Sequence, residues 1–149
     1  MKSLASAETL SETKGRLLSL GEDDRAHWGE MTATQMVRHL TCAYEIALGE
    51  RVVEPVKGLP PVVVKWVALR SGLRWPKNMA TTPELVRAIK ETPKAQFGEL
   101  VGDTIEKMEA VADGAAWQQS HPMFGQMTSA DWMRWGYLHA DHHLRQFGR

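Results

Sequence analysis

Apolar side chains recur every third or fourth residue in four stretches of the chain, the period of an amphipathic α-helix. The first stretch, Glu8 to Leu20, carries Leu10, Thr13, Leu17 and Leu20, and Gly21 is its stop. Gly15 lies inside it and weakens it by about 1 kcal/mol relative to alanine. The second opens with Met31-Thr32-Ala33-Thr34-Gln35, where Thr32 and Gln35 have the spacing of a capping box. Met36, Leu40, Ala43 and Ala47 then form its stripe, and Gly49 ends it. The third is the clearest. Thr92-Pro93 is an N-cap followed by a proline at the first helical position, and Phe97, Leu100, Val101, Ile105, Met108 and Val111 lie on one face before Gly114. The fourth begins Met127-Thr128-Ser129-Ala130-Asp131 and runs to about Phe147.

Between the second and third helices the pattern breaks. Pro55, Pro60, Pro61, Pro76, Gly58 and Gly72 interrupt residues 51–82. Within them, Val62 to Leu73 predicts one short helix with Pro60 and Pro61 at its start. The stretch reads as a long crossover over one end of a bundle, and segments of that length in compact domains are often functional. The pattern therefore predicts an all-α fold: a single domain over residues 1–149, with four helices and short links except between helices two and three. One internal echo is visible. Trp28-Gly29-Glu30-Met31-Thr32 resembles Phe124-Gly125-Gln126-Met127-Thr128, and an arginine follows six residues after each threonine. Two helix starts using the same staple and cap explain it without a duplication.

Composition narrows the classes. A chain of 149 residues suits one domain and can bury a core without disulfide staples. Lys+Arg and Asp+Glu both number 18, so there is no net charge to hold nucleic acid. The basic residues are scattered, as in Lys14 with Arg16, Arg70 with Arg74, and Lys90 with Lys94, and no stripe for an anionic membrane is evident. The first residues lack the apolar run of a signal peptide, and Pro60 to Val64 is too short to span a bilayer. Cys42 is the one cysteine, which excludes an internal disulfide. These features lead to the expectation of a cytoplasmic protein.

The chemistry lies in the histidines. Of the six, His139, His142 and His143 fall on helix four. At about 100° per residue, His139 and His143 are offset by only ~40° and stand one turn apart. Two imidazoles so placed chelate one ion. Trp132, Trp135 and Gln146 share that face, so it points into the bundle. His142 is ~60° from His139 on the other side, placed either to replace His143 or to stand behind the ligands. Asp141 points elsewhere and stands four residues before Arg145, the spacing of a surface ion pair. A third ligand must come from another helix. His39 is the candidate, because it alone lies within the apolar stripe of helix two. On its own, such a histidine is more often a hydrogen-bonded core residue. Three imidazoles facing one interior are costly without partners, and a metal satisfies all three. His27 and His121 fall in loops, and His121, just before Pro122 and the Phe124-Gly125 turn, either borders the mouth of the expected pocket or is ordinary loop structure. Cys42 follows His39 by three residues and fits a packing role.

These residues are also the ones that carry a family likeness. Met31-Thr32-x-x-Gln35-Met36-x-x-His39-Leu40 resembles the helix-two motif of the DinB/YfiT-like superfamily of metalloenzymes. His121-Pro122-x-Phe124-Gly125, then Thr128, Trp132 and His139-x-Asp141-His142-His143-Leu144-Arg145-Gln146-Phe147-Gly148, resembles one uncharacterised bacterial subfamily of it. The resemblance implies a four-helix bundle running up-down-down-up, one histidine ligand on helix two, His-x-x-x-His on helix four, and frequent homodimers. It favours His143 over His142 as the ligand. It further implies kinship with thiol-dependent transferases and isomerases that use low-molecular-weight thiols.

Three neutral imidazoles leave a fourth coordination position for water or substrate. Zinc fits such a set best, with nickel, iron and cobalt as alternatives. The expected function is a metal-dependent enzyme acting on a small-molecule substrate, as a thiol-dependent transferase, isomerase or hydrolase. Trp132, Trp135, Trp66 and Trp75 are candidate walls of its pocket. The alternative is a non-catalytic metal- or small-molecule-binding module. No general acid or base is identifiable from spacing.

Overall fold

The computed structural model of the chain describes residues 1–58, 60–78, 83–91, 96–115 and 118–149. Among these it is mostly helical: α1 (Ala7–Leu18), α2 (Ala33–Ala47), α3 (Pro61–Arg70), α4 (Pro83–Lys90), α5 (Phe97–Ala112) and α6 (Ser129–Gln146). A short antiparallel pair, β1 (Ser120–His121) and β2 (Gly125–Gln126), precedes α6, with His121 opposite Gly125. No described helix is long and apolar enough to cross a membrane.

Helix α2 is the centre of the packing. It lies against α5, α4 and α6, while α1 closes on α5 and α6. Met36, Val37, Leu40, Ala43, Tyr44 and Ala47 are buried along it, so it has almost no solvent face. It meets Leu100, Val101, Met108 and Val111 of α5 and Trp132, Trp135, Ala140 and Leu144 of α6 in one core. Burying each such side chain contributes about 1.5–3 kcal/mol.

Both helices that bear the clustered histidines start at the capping boxes expected of them. Thr32 Oγ1 accepts from Gln35 N at 3.2 Å and Gln35 Oε1 accepts from Thr32 N at 3.0 Å. At the head of α6, Thr128 and Asp131 do the same at 3.1 Å each way. Asp131 has a second task. Its buried carboxylate also accepts from Arg70 at 3.0 Å and faces Lys65 at 3.4 Å. One side chain thus caps α6 and ties the crossover helix α3 to it. Burial opposes the charge, but the Thr128 N–H and Arg70 outweigh it and hold the carboxyl below its usual range.

Two differences from the sequence pattern have physical reasons. The crossover carries the expected helix at Pro61–Arg70, and a second, α4, follows it before α5. Leu85 and Ile89, one turn apart, are buried from α4 against Cys42 and Ile46 of α2, with Ala88 packed beside them. A helix of eight residues is too short for its stripe to stand out from a link. Helix α5 begins at Phe97 after Gln96, which gives no side-chain cap, and the expected Thr92-Pro93 start lies outside the described residues. Helix α3 is apolar around most of its girth, with Lys65 and Arg70 turned to Asp131, yet it packs on one side. Leu69 is buried, while Val62 and Trp66 are 74% and 61% exposed. Trp66 is therefore on the outer face and does not wall a pocket.

Two glycines in helices separate packing from propensity. A Cβ on Gly136 would lie 2.8 Å from Leu4 Cδ1 and 3.2 Å from Tyr44 Cε1, and Tyr44 is pinned there by its hydroxyl on Gly136 O at 3.0 Å. Gly15 has nothing within 4 Å of the same position. Gly136→Ala is expected to lower stability by about 1–3 kcal/mol. Gly15→Ala is expected to raise it by about 0.5–1 kcal/mol. Urea unfolding midpoints that move in the same direction would contradict this packing.

Candidate metal centre

One histidine of α2 and two of α6 meet in the interior. His39 and His143 are buried, and His139 keeps some exposure while its Nδ1 is sealed off. The three offer one ligand atom each within 4.8 Å of one another. Ring centroids are 4.9 Å apart for His39 and His139, 4.6 Å for His39 and His143, and 5.1 Å for His139 and His143. The i,i+4 spacing on α6 stacks two rings on one face, and the close approach of α2 supplies the third. No other described His, Cys, Asp or Glu joins this group.

All three rings are neutral at physiological pH. Burial pushes His39 down to about 4, with a smaller push from His142. Burial, followed by the neighbouring imidazoles, puts His139 and His143 well below the ordinary histidine value. Neutral imidazole is the form that ligates a metal.

The tautomer of His143 follows from its neighbours. Gln146 stands 2.7 Å from the main-chain oxygen of Trp28, which can only accept, so its amide nitrogen faces that way. Its Oε1 then faces His143 Nδ1 at 2.8 Å, and Nδ1 must carry the proton. Nε2 of His143 is left with its lone pair, prepared as a ligand atom. Support of this kind behind a ligand fixes ring orientation and raises basicity. The loop before α2 holds Gln146 firmly. His27 N donates to Gln146 O at 2.8 Å, and a Cβ on Gly29, where φ is +77°, would come within 2.7 Å of Gln146 Nε2.

The donor set fits a divalent cation. The Nε2 atoms of His39 and His139 face each other at 2.8 Å, so a shared proton or a cation must separate the two lone pairs. A shared proton leaves the Nε2 lone pair of His143 unused, whereas a cation takes up all three. The Nδ1 atoms of His39 and His139 are sealed without a partner in either case. Each orphaned polar atom costs about 1–3 kcal/mol, which strong bonds at the opposite nitrogens offset. His39, His139 and His143 are the residues that would hold the ion.

The other predicted site residues lie around this centre. His142 is buried beside His143 at 5.0 Å, between Trp28 and Trp75 at 6.1 Å each, outside the ligand group. Trp135 stands 5.0 Å from His139 and Trp75 5.7 Å. Trp132 is one ring further away, 5.2 Å from Trp135. His121, on the hairpin, stacks on Phe124 at 4.4 Å and stands 5.2 Å from Trp135. Asp141 pairs with Arg145 at the surface, as its spacing implies, and also with Arg16, both at 2.9 Å. Cys42 packs against α4, and burial raises its thiol pKa. Spacing missed the contact of Trp28 with Gln146, since it runs through a main-chain oxygen that carries no residue-type signal.

A mostly helical chain with three histidines converging from two helices defines a small helical protein with a candidate metal centre. More particularly, the chain belongs to the family described as "Protein of unknown function (DUF1569)", whose pattern matches residues 2–149. No curated protein and no solved structure matches the chain.

Burying neutral histidines makes the metal-free protein acid-sensitive, and the sign is set by the lowered values. Unfolded histidine titrates near 6.5 and folded His39 near 4. Between those pH values the unfolded chain binds more protons, so stability is complete above about 6.5 and falls as the pH drops. The melting temperature of metal-free protein should decline from pH 7 to 4.5, and His39→Gln should flatten that decline. A level profile in the wild type would contradict burial of neutral rings.

Proposed function

We propose that the protein is a metal-dependent enzyme in which His39, His139 and His143 hold one divalent ion beside a small-molecule pocket. The convergence of three neutral imidazoles with no fourth protein ligand among the described residues carries this reading. Such a set leaves room for a ligand from solution, as catalytic rather than structural sites do. Zinc is the preferred ion, and nickel, iron and cobalt suit the same nitrogens. When bound, the ion supplies positive charge that lowers the pKa of a bound water or thiol.

The chain's own residues have distinct parts in this reading. Gln146 orients His143. Trp75 and Trp135 pack against His139 and line its side of the site. Trp75 is itself fixed by its indole N–H on Ala68 O at 3.0 Å, so the crossover supplies one wall of the pocket. The motifs resembling the DinB/YfiT-like superfamily support an up-down-down-up bundle for α1, α2, α5 and α6. They also support a low-molecular-weight thiol as co-substrate in a transfer or isomerisation, with hydrolysis as the water-dependent counterpart. A cytoplasmic location accords with such a thiol.

Metal analysis tests the reading. Protein purified without a chelating tag is expected to carry about one ion per chain, and His39→Ala should reduce this by tenfold or more. Unchanged content in the variant would remove His39 from the site. The cobalt-substituted protein should then change its visible spectrum when titrated with cellular thiols. A spectrum unmoved by thiols would contradict the thiol reading.

A further inference from the structure

Two N–H groups beside the three histidines have nothing to donate to among the described residues. The first is on His121. Its Nδ1 stands 3.1 Å from Met123 N. A main-chain nitrogen can only donate, so Nδ1 carries a lone pair and the proton of the neutral ring is on Nε2. Burial pushes this imidazole down to about 3, so it is neutral across the physiological range. The second is on Trp135, which is 3% exposed. Trp132 donates its indole N–H to Gln118 O at 2.8 Å and Trp75 donates to Ala68 O at 3.0 Å, but Trp135 Nε1 has no such partner among the described residues. Buried indole nitrogens usually find one.

Among the described residues, the sealed side-chain nitrogens without a partner are Nδ1 of His39 and of His139, and neither His121 Nε2 nor Trp135 Nε1 is among them. Their rings are 5.2 Å apart at 64°, and Trp135 is also 5.0 Å from His139. Phe124 stacks on His121, and Trp132 stands 5.5 Å from it, so the surroundings are aromatic. The hairpin sets this up. The turn joining His121 to its strand partner Gly125 brings Met123 N back onto the imidazole and fixes its proton on the far nitrogen.

We propose that His121 Nε2–H and Trp135 Nε1–H form a subsite for a carboxylate or carbonyl oxygen of a small, otherwise apolar substrate. Two neutral donors between aromatic rings select an acceptor atom, and they offer nothing to a cation or to a second donor. The aromatic walls suit an apolar body. His121 and His143 are thus set to opposite tasks by main-chain contacts: one presents a proton at Nε2, the other a lone pair. The inference deepens the proposed function, since it assigns a substrate class to the same site.

The probes are benzoate, benzamide and toluene, which share a ring and differ in the acceptor, titrated into protein as purified and after removal of metal. Wild type is expected to bind benzoate or benzamide at least tenfold more tightly than toluene. Preference for benzoate assigns a carboxylate, and preference for benzamide assigns a carbonyl. His121→Phe, which keeps the stack, and Trp135→Phe should each abolish most of that preference. His121→Gln, which retains a side-chain N–H, should keep more of it, and metal content should be unchanged in all three. Nitrogen NMR of metal-free protein should show His121 neutral and protonated at Nε2. No preference over toluene in wild type, an undiminished preference in His121→Phe, loss of metal in that variant, or a proton on Nδ1 would each overturn the subsite. Wild type that is purified with no bound metal and still prefers benzoate or benzamide would contradict the metal reading and support this one, and the preference is expected to survive removal of metal.

Discussion

Three imidazole rings share one interior space, and each neutral ring brings one N–H and one lone pair that water no longer satisfies. Much of the surrounding structure can be understood as accommodating those six groups. Gln146 takes the N–H of His143 and is held in turn by the Trp28 carbonyl. His39 and His139 face each other through Nε2 and leave their Nδ1 atoms sealed and unpartnered. An interior that tolerates two orphaned nitrogens must gain more elsewhere, and coordination of a cation by three converging lone pairs is a gain of that size.

The site draws on segments far apart in the chain, and each reaches it through a specific contact. The loop before α2 reaches α6 through Gln146. The crossover reaches α6 through Asp131 and brings Trp75 against His139. The hairpin lays His121 and Phe124 over the tryptophans of α6. α6 is thus the common support, and its burial against α2 fixes the distance between His39 and the other two histidines. The site rests on the α2–α6 pair, so a change in that packing alters ring separations before it alters the rings themselves.

How much of this was legible in the residues depends on whether the signal was periodic. The stripe around His39 and the i,i+4 pair His139 and His143 are patterns that survive without coordinates, as are both capping boxes. Pro60 and Pro61 marked the start of α3. Helix α4 escaped because it is eight residues long and its inward stripe is short: Leu85, Ala88 and Ile89. The outward position of Trp66 escaped because apolar residues run around most of α3 and their pattern names no inner face. The opposite tautomers of His121 and His143 depend on a main-chain nitrogen and a main-chain oxygen, which every residue possesses. Spacing alone left His142 and His143 open and the motif resemblance favoured His143; the structure brings His143 to His39 and His139 and leaves His142 beside it, outside the group.

Diffraction at a metal absorption edge tests the centre most directly. In crystals of protein grown without chelators, the account predicts one anomalous peak about 2.0–2.2 Å from a nitrogen of each of His39, His139 and His143, with at least one further position open to solvent. Imidazoles bonded to one another with no peak between them, or a peak elsewhere in the chain, would contradict it.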